Sequence, residues 1–355
     1  MKTNKKEAAP EDIRLPLMES QPPYVMAFYN QKGGVAKTTS SVNLANEIGK
    51  LGYKVLLVDY DPQCSASYMC NLDIYDEEQL SVGSVLIPYV IKGIKPTASD
   101  IREAIITPTY MKKVKKDKST IWEEKEVPFE FDLLPCTGDA LSTVELSIST
   151  PKTYLCNNPT HIRFLCKMVV DIIRRSMDYD FIFIDTNPTF GNMSVAAIYA
   201  SDFLFMPTTA DFLATAGMKP MVNRLQALRT YIPQYSLLGA AFTIYSKRRV
   251  SDIEAVMDIK NLSQSLGESF PLFTTMIPED YANVRNAVME GGTISTSIQQ
   301  SKPIAKQYKF LAHEIVTKFF DRPDLWDYMS SNLTVLKEIK KTLEKRKDEE
   351  NEEGK

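Results

Sequence analysis

Two lysines and two threonines set close together carry the strongest chemical signal in the chain: Lys32-Gly33-Gly34-Val35-Ala36-Lys37-Thr38-Thr39. The segment follows an apolar run, Tyr24 to Tyr29, and precedes a run with Val42, Ala45 and Ile48 at helical spacing. Between a strand and a helix, loop and helix N-terminal N–H groups converge on an anion, and glycines allow close approach. Lys37 would add a point charge to the β- and γ-phosphates of a nucleotide, and Thr38 would offer its hydroxyl to Mg²⁺. The competing reading is a helix-start turn that binds nothing. A strand before it, a helix after it and two lysines argue against that.

Three carboxylates are placed to complete such a site. Asp59 and Asp61 follow the apolar run Lys54 to Val58, at the carboxyl end of an expected parallel strand, where α/β proteins hold ligands. Asp185 ends the run Tyr179 to Ile184, and a buried strand ending in an acid suits a Mg²⁺ partner acting through water. Asp59 and Asp61 also read as turn or helix-capping aspartates. Phosphoryl transfer to water needs positioning and charge neutralisation rather than covalent help, so the chain's two histidines, His161 and His313, are not required.

The common phosphate-loop pattern is G-x-x-x-x-G-K-[ST], and here Ala36 stands where its second glycine is expected. KGGVAKTT instead resembles the deviant Walker A motif, KGGxxK[ST][ST], of the ParA/MinD family of ATPases. The resemblance spans about Tyr24 to Phe320. Asn30-Gln31-Lys32 is similar to the family's entry to the loop, and Asp59-Tyr60-Asp61-Pro62-Gln63 to its DxDPQ segment. Phe181 to Asp185 resembles its Walker B strand, and Ile277-Pro278 the turn flanking the base. Asn187 departs from the usual D-x-P-P continuation, which implies a less rigid loop.

The resemblance implies a P-loop fold that binds ATP and Mg²⁺. Lys32 would reach across a dimer interface to the partner's nucleotide. Asp61 would orient the attacking water and Asp59 support the metal shell, with Thr38 and Asp185. Lys32, Lys37 and Asp61 would form the catalytic set. It further implies a homodimer in the ATP state that coats DNA non-specifically, a ParB-like centromere-binding partner, and segregation of a plasmid or chromosome. Other readings stay open: a MinD-like membrane-cycling or other cargo-positioning ATPase, a reductase like the nitrogenase iron protein, or a scaffold that binds nucleotide without turnover.

Positioning these residues requires parallel strands beneath helices. Strand, loop, helix and strand in succession form a βαβ unit. Further strands are expected at Phe129 to Leu134, Phe203 to Met206, Leu237 to Ile244 and Leu272 to Ile277. Helices are expected at Ile162 to Met177, Met218 to Tyr231, Ser251 to Leu266 and Val284 to Glu290. The sum is an α/β fold, a mostly parallel twisted sheet of about seven or eight strands flanked by helices. Residues 1–22 read as a polar N-terminal extension and 23–320 as the ATPase domain. A surface insertion near 105–127 is a hairpin or flexible loop, solvated or partner-binding. Residues 321–355 read as a helix, with Leu333, Leu336, Ile339 and Leu343 on one stripe, and an acidic tail.

The net charge of −3 provides no global attraction for nucleic acid, so DNA binding needs a local patch. Lys247, Arg248 and Arg249, between a strand and a helix, are the candidates, with Arg285 as an extension; an ordinary solvated turn is the alternative. The N-terminus is too short for a helix-turn-helix domain. Five scattered cysteines without a CxxC pair favour free thiols in a reducing cytosol, and Cys156, His161 and Cys166 match no common zinc spacing. A polar N-terminus without an apolar region and the lack of a long apolar run predict a cytoplasmic, nucleoid-associated protein without membrane attachment.

Overall fold

The apolar runs form strands whose side chains alternate between two buried faces of one sheet. In β1 (Tyr24–Phe28), Val25 and Ala27 join one core cluster, while Tyr24, Met26 and Phe28 join another. The computed structural model describes residues 21–325 apart from 77, 116–121, 233–234, 247, 267–269, 297–300 and 323. Residues 1–20, Lys247 and the stripe from Leu333 to Leu343 therefore lie outside the described residues.

After β1 come α1 (Lys37–Gly49), β2 (Val55–Tyr60), α2 (Ser65–Met69), α3 (Val82–Lys92) and α4 (Ala98–Ala104). An antiparallel hairpin, β3 (Thr109–Lys115) and β4 (Trp122–Pro128), occupies the expected insertion. Then follow β5 (Asp132–Leu134), α5 (Ala140–Leu146), α6 (Tyr154–Asn157), a 3₁₀ turn at Pro159–Phe164, α7 (Leu165–Ser176), β6 (Phe181–Thr186), α8 (Asn192–Ala200) and β7 (Phe203–Thr209). The last elements are α9 (Phe212–Arg229), β8 (Ser236–Tyr245), α10 (Val250–Leu266), β9 (Leu272–Pro278), α11 (Tyr281–Met289) and α12 (Pro303–Val316).

Seven strands pair in the order β5-β2-β6-β1-β7-β8-β9, and every pairing in that sheet is parallel. One face is mainly aliphatic, with Leu56, Val58, Ile182, Ile184 and Leu204. The other is aromatic: Phe28 lies 5.1 Å from both Phe183 and Phe205, ring centre to ring centre. The fifth strand is shorter than the expected Phe129 to Leu134, because Phe129 and Phe131 turn into this aromatic core beside Tyr110.

Helix α12 covers the open edge. The buried Glu314 carboxylate accepts the Thr274 and Thr275 N–H groups of β9 at 2.6 and 3.0 Å. Those donors sit on a strand that is the last of the sheet among the described residues. Gly49 lets α1 pass against the chain leading into β5: a Cβ there would meet the Glu130 carbonyl oxygen at 1.7 Å.

Candidate nucleotide-binding site

Strand β1 lies between β6 and β7, and the chain leaves it for α1 where the sheet order reverses. In parallel α/β sheets ligands gather at such a switch, beyond the carboxyl ends of the strands. The loop there is held from several sides. Asn30 donates its side-chain amide to the Pro207 carbonyl at 2.7 Å and accepts the Lys32 N–H at 3.0 Å. Thr243, from β8, donates to the Val35 carbonyl at 3.0 Å.

Ala36 caps α1 with φ 59°, in the left-handed region. Glycine occupies that region freely and alanine pays roughly 1–2 kcal/mol. Ala36 thus adopts, at a cost in strain, a backbone conformation that glycine occupies freely. Gly34, at φ +73°, needs glycine for the same reason, and nothing lies within 4 Å of a Cβ built there. That open ground above the loop suits an anion reaching the backbone.

A cleft of about 460 Å³ opens beside the loop. Of the expected residues, Gly33, Gly34, Ala36, Lys37, Thr38, Thr39 and Asp61 line it, together with Gln63, Ser65, Tyr68, Ile74, Thr186 and Pro188. Lys37 is 7% exposed, and its ammonium approaches the Lys32 carbonyl at 3.4 Å. Burial pulls its pKa below the usual lysine range, while Asp185 and Asp61 oppose that pull. A desolvated ammonium beneath a phosphate loop has its strongest available partner in a phosphate.

Asp185 sits behind the cleft, fully buried. It accepts the Thr38 hydroxyl at 2.7 Å and the Ser41 hydroxyl at 3.1 Å. Asp59 is its cross-strand neighbour on β2 and accepts both the N–H and the hydroxyl of Ser67 at 2.8 Å. Burial, above all, pushes their carboxyls up, to about 8 for Asp185, which Asp59 raises further, and to about 7 for Asp59, which Asp61 raises further. Burial also raises Asp61, against the Gln63 N–H and Lys37. Such a cluster, with a threonine hydroxyl already turned to it, fits a divalent cation that would neutralise it.

The Asp59 hydrogen bonds run to α2 and to the Asp61 N–H rather than to the threonine of the loop. Lys32 points elsewhere: its ammonium meets Asp211 at 2.5 Å and the Thr209 hydroxyl at 3.1 Å, at the carboxyl end of β7. Neither partner was apparent from the sequence, since both lie more than 170 residues away. Asn187 is tied to α8 by the Ser194 hydroxyl, which donates to its side-chain oxygen at 2.5 Å, so the loop after Asp185 is anchored despite the missing proline.

Pro278 ends β9 and pairs with Tyr245; it does not line this cleft. Of the basic residues, Arg248 and Arg285 are exposed. Arg249 is engaged, bonding Asp252 and Glu279 at 3.0 Å each and the Ile244 carbonyl at 3.2 Å. Among the described residues no cluster of three or more His, Cys, Asp and Glu side chains has the geometry to hold a metal unaided, so Cys156, His161 and Cys166 form no such site. No helix among them is long and apolar enough to cross a membrane.

The model of a family described as an AAA domain matches residues 24–236. The chromosome partitioning protein ParA of Caulobacter vibrioides is 23% identical over 315 residues, covering 86% of this chain and 98% of its own. The chromosome-partitioning ATPase Soj of Thermus thermophilus is 28% identical over 300 residues, covering 82% of this chain and 95% of its own. Among solved structures, the septum site-determining protein MinD of Pyrococcus horikoshii, complexed with Mg-ADP, superposes with a TM-score of 0.56. It is 21% identical over 82% of this chain and 95% of that one, a likeness of fold.

Proposed function

This chain belongs to the AAA domain family, among the P-loop ATPases of the ParA/MinD type, and from that premise we propose what it does. It hydrolyses ATP as a homodimer, binds DNA without sequence preference in the ATP state, and moves plasmid or chromosomal DNA with a ParB-like centromere-binding partner. Its place of work is the cytoplasm, on the nucleoid. The names of the relatives ParA and Soj support the partition role.

One observation supports the reading: the two loop lysines stand in different surroundings. Lys37 is buried within its own phosphate loop, and Lys32 leaves the cleft for the molecular surface, where it is about a third exposed at 36%. Lys37 serves the nucleotide of its own subunit, and Lys32 is available to a second one. Thr38 and Asp185, with Asp59 behind, would hold Mg²⁺, which supplies charge neutralisation at the phosphates. Asp61, at the cleft wall, orients the attacking water and accepts its proton.

Phosphate release and sedimentation test this together. With ATP and Mg²⁺ the chain sediments as a dimer and retains unrelated duplex DNA; with ADP it does neither. Binding of ATP without dimer or DNA retention overturns the partition reading. Pelleting with anionic vesicles instead of DNA would assign the same cycle to a membrane surface.

A further inference from the structure

Two thiols that the hydrolytic chemistry does not use face each other beside the cleft. The Sγ atoms of Cys64 and Cys136 are 3.0 Å apart, about 1 Å more than the ~2.05 Å of a disulfide bond. Both side chains are buried, and both cysteines are free. Cys64 lies on the turn after β2, three residues beyond Asp61. Cys136 lies just past the end of β5.

The backbone at Cys64 gives a second, independent reason to look there. Its φ is 52° and ψ 32°, the left-handed region, which glycine occupies freely and cysteine does not. Strained non-glycine residues cluster at functional sites, which motivates a role for this side chain. Here the thiol of that residue faces Cys136, with the Pro62 and Gly138 carbonyls 3.6 and 3.9 Å away.

The neighbours tie this pair to the cleft. Gln63 and Ser65, on either side of Cys64, both line it. The Cys64 N–H donates to the Asp61 carbonyl at 2.9 Å, and the Gln63 N–H to the Asp61 carboxylate at 3.0 Å. Asp61 and Cys64 therefore belong to one hydrogen-bonded turn. Across from them, the Cys136 N–H donates to the Ser67 hydroxyl, and Gly138 bonds the carbonyl of Ile74, another residue of the cleft wall.

We propose that Cys64 and Cys136 are a reversible oxidation site, a disulfide that locks the Asp61 turn to the end of β5 and slows ATP hydrolysis. The oxidant is a peroxide. The Cys64 thiol takes one peroxide oxygen to give a sulfenic acid, and water leaves. The Cys136 sulfur then attacks the Cys64 sulfur, the S–O bond breaks, and the hydroxyl departs as a second water with the Cys136 proton. Two thiols are oxidised and one peroxide is reduced to two waters; a small thiol reverses the change. The lock acts on Asp61 and leaves the phosphate loop untouched, so it lowers turnover and spares nucleotide affinity. This effect rests on the proposed role of Asp61, whereas the disulfide itself does not.

The test uses the full chain, treated with hydrogen peroxide, then alkylated, digested and mapped by mass. The expected result is a Cys64–Cys136 linked peptide lighter by two hydrogens, with Cys70, Cys156 and Cys166 alkylated. The kcat falls by at least about tenfold, within the roughly 100-fold that a displacement of about 1 Å can cost. ATP affinity is unchanged, and dithiothreitol restores kcat. Cys136→Ser keeps the reduced rate and loses both the linkage and the response, and Cys64→Ala loses the linkage independently. Absence of the linked peptide, linkage to another cysteine, or a linked protein with unaltered kcat overturns the proposal. A chain that turns over no ATP in either state overturns the functional reading, and the peptide map alone then decides the disulfide.

Discussion

Lys32 and Lys37 leave one short loop for different surroundings, and the difference is one of solvation. Lys37 has given up most of its water, and among the described residues Asp185 and Asp61 oppose the cost to its charge. Lys37→Ala should weaken ATP binding at least about 100-fold, the scale of losing a charge-assisted contact of ~3 kcal/mol. Calorimetry with ATP and Mg²⁺ reads this directly, and retained affinity would place the phosphates elsewhere. Asp61 is the carboxylate of the cleft wall, so Asp61→Ala should bind ATP and dimerise while phosphate release drops by about 100-fold or more. Wild-type turnover in that variant removes Asp61 from the chemistry. These residues were readable because loop, hydroxyl and DxDPQ acids lie within short stretches whose spacing is itself the signal. Asp211 and Thr209 were not, since the pairing of β1 with β7, and no local spacing, carries them to Lys32.

At the scale of elements, the strands were legible because a strand buried on both faces has little room for polar residues, and continuous apolar runs mark it. The edge helix α12 was not read. Its stripe of Tyr308, Leu311, Ala312 and Ile315 is interrupted by buried His313 and Glu314, and Glu314 makes sense only once β9 offers its N–H groups. Likewise α3 contains Pro88, which locally masks a helix. The turn between β8 and α10 separates two kinds of arginine. Arg249 holds Asp252, Glu279 and the carbonyl of Ile244, itself at φ 55°, so its charge is already matched. Arg248 and, on α11, Arg285 are exposed. Arg248→Glu with Arg285→Glu should weaken binding to unrelated DNA in the ATP state and reduce the log–log salt slope by about 2, one for each lost phosphate contact. Arg249→Glu should lower the melting temperature instead. Unchanged DNA titrations in the double variant would move the patch to other residues.

The whole molecule gathers buried acids at one end of the sheet and sends one cation outward from the same place, and both features bear on its states. The folded pKa values of Asp59 and Asp185 lie above those of the unfolded chain. The native state therefore binds more protons, and its stability declines as pH rises from about 4 to about 8. Without nucleotide and Mg²⁺ the melting temperature should fall through that window. Asp185→Asn should flatten the decline, and a midpoint that rises would contradict the buried-acid account. On the proposed dimer mechanism, the outward cation governs assembly. Lys32 and Asp211 are both more than a third exposed, so their bridge is worth no more than about 1 kcal/mol. A bond that weak holds the lysine beside its own subunit yet yields when a second nucleotide offers several phosphate oxygens. Lys32→Ala should still bind nucleotide and remain a monomer with ATP and Mg²⁺ in sedimentation velocity. Asp211→Asn should do the opposite, tightening ATP-dependent dimerisation by up to about fivefold for each of the two subunits, the factor that ~1 kcal/mol of released restraint per bridge allows. A dimer of wild-type affinity in Lys32→Ala would return the lysine to its own subunit. A weaker dimer in Asp211→Asn would make Asp211 part of the closed interface rather than the group that holds Lys32 away from it.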